Sequence, residues 1–230
     1  MIHIFVRMCD TSKSNNKPRP EWFSYEKCFK SLFDKDVDIT VLFDGEVPGD
    51  HFVKNYDVKI VEIEAGSQQS SFVKMMEYIK GLNIPNNDII YLVEDDYLHK
   101  PGFPKILMEG FQTNADYVSL YDHCDKYIPG YYEQFAKGFP VQIVPSPSIH
   151  WRTTPSACMT YAVKKATFTR DYDIYYKYST GEYIKKPFYD HEMFCELWNS
   201  GKSLISCIPA YSTHCDFEGI APVVNWAAIT

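Results

Sequence analysis

Apolar residues along this chain fall into short, nearly unbroken runs separated by stretches of helical spacing. Ile2 to Met8, Val37 to Phe43, Val58 to Ile63 and Ile89 to Val93 read as strands, the last of them apolar throughout and therefore covered on both faces. Glu21 to Phe33 carries Trp22, Tyr25, Phe29, Leu32 and Phe33 at helical intervals, and Ser71 to Leu82 carries Phe72, Met75, Met76, Ile79 and Leu82. The order strand, helix, strand, strand, helix, strand predicts an α/β domain with a mainly parallel sheet and helices on its faces.

The second half is less regular. Phe103 to Phe111 reads as a short helix, Tyr117 to Tyr121 and Val141 to Val144 as strands, and residues 122–140 as a long binding loop. A polar stretch from Ile149 leads into small residues, Ala157, Cys158 and Met159. Asp190 has the placement of an N-cap for a helix that turns Met193, Phe194, Leu197 and Trp198 inward. Leu204 to Ile208 closes the series as a strand, followed by a loop that contains His214.

Composition narrows the class. With 230 residues and 45% hydrophobic content the chain is globular, with room for a sizeable core. A formal charge of −7 argues against a general nucleic-acid binder, which needs a basic face. Seven cysteines, odd in number and without a CxxC pair, read as free thiols of a reducing compartment. No apolar run is long enough to span a membrane. The expectation is a soluble, cytoplasmic protein.

The chemistry concentrates where the fourth strand ends. Glu94, Asp95 and Asp96 follow Val93 directly, and Pro101-Gly102 then turns the chain away. Three adjacent carboxylates either form the solvated end of a strand or gather round a divalent cation with oxygen ligands. In open α/β sheets, ligands collect at this end of the strands. An apolar strand, then Glu-Asp-Asp, Tyr-Leu and Pro-Gly, resembles the Asp-X-Asp motif of glycosyltransferases with the GT-A fold, with Glu94 as a departure in the first position. The likeness is to the small soluble enzymes of that family found in bacteria and large DNA viruses.

The resemblance implies one GT-A domain over residues 1–230, a Rossmann-like mixed, mainly parallel sheet with nucleotide-sugar binding in 1–100 and acceptor binding and catalysis in 101–230. It implies Mn²⁺ or Mg²⁺ held by Asp96 and His214 against the diphosphate of a uridine-linked sugar. Arg7, Thr11, Asp44, Lys74, Glu94 and Asp95 would then contact the donor, with Asp44 reading the uracil ring. Trp151 and Arg152 would meet a carbohydrate acceptor, and Asp190 would act as general base of an inverting transfer. Glu192 stays open as the alternative base. Plainer roles stand beside these: Asp190 as a helix cap, Asp44-Gly45 as a turn, Trp151 as core and Arg7 as the partner of a surface acid.

Two other function classes remain. A sugar nucleotidyltransferase shares this kind of sheet but normally has a Gly-rich basic loop after the first strand, and residues 9–20 contain no glycine. A catalytically silent carbohydrate-binding domain would bind sugar without metal-dependent nucleotide binding.

Overall fold

The computed structural model describes residues 1–10, 17–128, 141–180 and 190–229. In chain order its elements are β1 (Ile2–Cys9), α1 (Tyr25–Lys30), β2 (Val37–Asp44), β3 (Lys59–Ile63), α2 (Gln68–Lys80), β4 (Ile89–Glu94), β5 (Tyr97–His99), α3 (Phe103–Gln112), β6 (Tyr117–Ser119), β7 (Ile143–Pro145), β8 (His150–Thr153), β9 (Tyr161–Lys164), α4 (Lys165–Ser179), α5 (Asp190–Asn199), β10 (Leu204–Ile208) and β11 (Ser212–His214). The main sheet runs β3-β2-β1-β4-β9-β6-β10-β8-β7, and β5 pairs with β11 in a separate ribbon.

The block β3-β2-β1-β4 is parallel throughout, with Ile2 opposite both Val37 and Ile89. Strand β9 lies antiparallel between β4 and β6, joining this block to the second half of the sheet. The period-2 alternation of side chains then divides the core into two layers. Ile4, Val6, Val41, Phe43, Tyr91 and Val93 face α1 and α3, whereas Phe5, Leu42, Ile90 and Leu92 face α2, α4 and α5. The expected α/β class with a large, mainly parallel sheet flanked by helices is what the chain adopts.

Local chemistry sets the helix starts. Ser24 caps α1 by accepting from the Lys27 N–H, and Ser67 caps α2 by accepting from the Ser70 N–H. Gly102 opens α3 in the left-handed region at φ 77°, with Pro104 in the first turn. The helix expected over 21–33 is shorter, because the Phe23 N–H closes a turn on the Pro20 carbonyl and leaves Tyr25–Lys30 as the helical part. The strand expected over 117–121 stops at Ser119, whose hydroxyl accepts from the Tyr121 N–H.

Candidate functional site

The carboxyl ends of β1 and β4 lie side by side, with Arg7 in register with Glu94. The Arg7 guanidinium is buried; one nitrogen contacts Glu94, and the other donates to the Gln68 carbonyl at 2.8 Å and to the Ser71 hydroxyl at 2.9 Å. Gln68 also donates to Glu94 at 2.8 Å. Glu94 is therefore neutralised by the strand beside it and the helix above it.

Two residues on, the chain turns into β5, and the β5–β11 ribbon sets His214 opposite Tyr97 with their rings stacked at 5.2 Å. The Cys215 N–H extends that pairing to the Asp96 carbonyl at 2.9 Å. Asp96 Oδ2 then pairs with His214 Nε2 at 3.0 Å and with Arg19 Nη2 at 2.9 Å. Arg19 is fixed from three further sides. Its other nitrogen donates to the Cys215 carbonyl at 2.8 Å, and its plane lies over Phe23 and Tyr25. The second His214 nitrogen faces Asp216 at 3.3 Å, and Lys17 stands 3.9 Å from the same carboxylate.

Burial alone would raise the Asp96 carboxyl, but the His214 and Arg19 contacts outweigh it and hold Asp96 at about 2. Burial lowers His214, but its contacts with Asp96 outweigh that and raise it. Asp95 goes the other way: burial first, then the charges of Asp96 and Glu94, push it well above the ordinary carboxylate range. Asp96 Oδ1 is buried with no hydrogen-bond partner.

These two observations bear on a divalent ion. Among the described residues no group of three or more His, Cys, Asp and Glu side chains is arranged to hold a metal. A magnesium-type ion usually takes only one or two protein carboxylates and completes its shell with water and substrate phosphate. The buried, unpartnered Oδ1 of Asp96, and Asp95 next to it in sequence, are the kind of oxygen ligands that arrangement uses. His214, expected to complete the metal shell, instead has both ring nitrogens facing carboxylates.

The second half contributes a separate group. Asp190 begins α5 and its Oδ2 accepts from the Ser156 hydroxyl at 3.1 Å and the Ala157 N–H at 3.2 Å. Glu192, two residues further on, has a buried Oε2 without a hydrogen-bond partner. In the same loop Cys158 and Met159 both take positive φ, 45° and 57°, a costly conformation for residues with side chains. Tyr97 holds that loop by donating to the Cys158 carbonyl at 3.1 Å. Burial pushes the Cys158 thiol up, and the charge of Asp190 pushes it further the same way.

Other expected contacts are arranged differently. Asp44 accepts from the Ala65 N–H at 2.8 Å and the Gly66 N–H at 2.9 Å, which commits both oxygens to the loop between β3 and α2. Lys74 is exposed on α2 beside Glu77, at 3.7 Å. Trp151 is fully buried at 0% exposure, so the expected flat face for a sugar ring is corrected: the indole is core, and its N–H donates to Ser146. Arg152 is also buried, 3.8 Å from Asp122 and over the Tyr127 ring. Thr11 lies outside the described residues. Sequence reasoning missed Arg19, whose only signal was a cation in the loop after the first strand.

No protein-family model matches this chain, and no curated protein does. Solved structures match along nearly its whole length. A nucleoside-diphosphate-sugar pyrophosphorylase from Vibrio cholerae RC9 is similar at TM-score 0.52 and 12% identity, covering 94% of this chain and 95% of that one. The 2-C-methyl-D-erythritol 4-phosphate cytidylyltransferase of Francisella tularensis is similar at 0.51 and 9% identity, covering 97% and 94%. These likenesses establish a Rossmann-like fold of the kind nucleotidyltransferases use. They overturn the expectation of glycosyl transfer to a glycan acceptor, since the neighbours are named for nucleotidyl chemistry. No helix among the described residues is long and apolar enough to cross a membrane.

Proposed function

We propose that this chain is a metal-dependent nucleotidyltransferase that joins the nucleotidyl group of a nucleoside triphosphate to a sugar or sugar-like alcohol derivative. The carrying observation is the acidic tip of β4 bracketed by two arginines, Arg7 from β1 and Arg19 from the loop after it. In an acidic protein, a site for a polyanion needs such cations close to metal-binding carboxylates. The loop lacks glycine, but Lys17 and Arg19 supply positive charge where the triphosphate would approach the carboxyl end of the sheet.

In this reading an oxygen of the second substrate attacks the α-phosphorus, a new P–O bond forms, and pyrophosphate leaves with the electrons of the broken one. Asp95 and Asp96 would hold a divalent ion such as Mg²⁺, which supplies charge neutralisation at the phosphates when bound. Arg19 exchanges its contact with Asp96 for the leaving phosphates, and Arg7 balances the charge of Glu94 and fixes its position. Asp190, oriented by Ser156 and Ala157, accepts hydrogen bonds from hydroxyls of the second substrate, with Glu192 beside it. Residues 1–100 would carry the nucleotide and residues 101–230 the second substrate.

The test is pyrophosphate release from each of the common nucleoside triphosphates, offered with a panel of sugar phosphates and Mg²⁺. Release should require both substrates, stop in EDTA, and fall about a hundredfold or more in Asp96→Asn, the scale for losing one charge-stabilising group. If every combination releases no pyrophosphate while a nucleotide-sugar is consumed instead, the reading is wrong.

A further inference from the structure

Cys28 on α1 and Cys215 just beyond β11 are 187 positions apart in sequence, yet their sulfurs meet at 3.7 Å. Both side chains are buried, at 2% and 0% exposure, and both are free thiols. The proposed reaction uses neither.

We propose that Cys28 and Cys215 form a modification site: a thiol pair that a peroxide converts to a disulfide, and that disulfide switches the nucleotide site off. The effect on the site rests on the functional reading above; the disulfide itself does not. The peroxide first oxidises one thiol to a sulfenic acid, releasing water. The second sulfur then attacks the first, forming the S–S bond and releasing a second water. Two thiols and one peroxide give one disulfide and two waters, and the two electrons lost by sulfur break the O–O bond.

Three features support a switch rather than inert packing. A disulfide holds its sulfurs at about 2.05 Å, so closing this contact draws α1 and the end of β11 together. The moving residue is tied to the site through its backbone: the Cys215 carbonyl accepts from Arg19 at 2.8 Å, and its N–H donates to the Asp96 carbonyl at 2.9 Å. A shift at Cys215 therefore moves Arg19, Asp96 and the adjoining His214 together. The oxidant would reach the buried pair by local opening of α1. That helix has only six residues, and its Lys27 and Lys30, with Ser31 just after it, line a hollow of about 560 Å³. Such a short element at a surface opens locally at low cost, which admits a small oxidant.

The experiment treats the reduced full-length protein with hydrogen peroxide, alkylates remaining thiols, and searches the digest for the Cys28–Cys215 cross-linked peptide. Mg²⁺-dependent binding of nucleoside triphosphates is measured in parallel by calorimetry. The cross-link should appear together with a loss of affinity of about tenfold or more, the scale of one lost charge-assisted hydrogen bond. Dithiothreitol should reverse both. Cys28→Ala should bind like the reduced wild type and keep binding after peroxide, and Cys28→Val serves the same purpose if the smaller side chain loosens the core. Absence of the cross-linked peptide overturns the proposal, as does full cross-linking with unchanged affinity, or equal peroxide sensitivity in the variants. If the reduced protein binds no triphosphate, the functional reading fails separately, and the disulfide is judged by the peptide alone.

Discussion

A single oxygen of Asp96 receives both Arg19 and His214, and the titration of all three follows from that. Asp96 is lowered to about 2, so its contribution to stability is present above the ordinary value of 3.8 and lost as pH falls through about 2. His214 is raised above 6.5, so its contribution is complete below 6.5 and lost as pH rises through the raised value. The pair thus stabilises most between these limits. In metal-free protein, an NMR titration should find the His214 midpoint above 6.5, and Asp96→Asn should bring it down; an unchanged midpoint would break the link. Arg19→Ala should weaken nucleoside triphosphate binding by about 1.5–3 kcal/mol in calorimetry, the range for hydrogen bonds to charged groups. Gly219 offers a gentler probe. A Cβ there would lie 2.6 Å from His214 Nδ1, so Gly219→Ala should displace the ring and shift its titration.

At the scale of elements, α3 lies so close to the sheet that Gly110 leaves no space for a methyl group. Its Cβ would stand 2.6 Å from Val118 and 3.0 Å from the Trp151 ring. Gly110→Ala should therefore destabilise by about 1–3 kcal/mol in urea unfolding despite its better helix propensity. On β5, burial lowers His99 to about 3, and the neutral ring meets the Tyr91 hydroxyl at 2.8 Å. The unfolded chain takes up that proton below about 6.5, so acid should cost up to about 1.4 kcal/mol per pH unit between 6.5 and 3, a slope that His99→Gln should reduce. Elements with unmixed patterns were legible in the sequence: Leu204–Ile208 forms the strand expected there, and the acidic strand extends only to Glu94. Helix α4 was not. Its inward face includes Asp171, which accepts from Tyr117, and Tyr175, whose hydroxyl also meets Tyr117 at 2.6 Å. A stripe made of phenols and a buried acid hides a helical period that aliphatic residues would have displayed.

For the whole molecule, the strand–helix alternation revealed the class of fold, but not where the second half joins the first. That join is long-range pairing by β9, a four-residue strand with no signature of its partners. The acidic tip likewise points to a candidate site without naming its chemistry, because a metal ion on a nucleotide's phosphates would serve glycosyl and nucleotidyl transfer alike. Lack of glycine in residues 9–20 weighed against the second chemistry, whereas in the proposed function Arg19 and Lys17 would supply by side chain part of what a glycine-rich loop supplies by backbone. The join by β9 also has a consequence during synthesis. A ribosome releases the parallel block first, and the apolar edge of β4 stays open until Lys164 emerges, about 70 residues after Glu94, or ~4–14 s at typical elongation rates. An unpaired apolar edge is a template for pairing with another chain. A product truncated before Tyr161 should sediment as aggregate where the full chain does not, so the nascent protein needs a chaperone most in that interval.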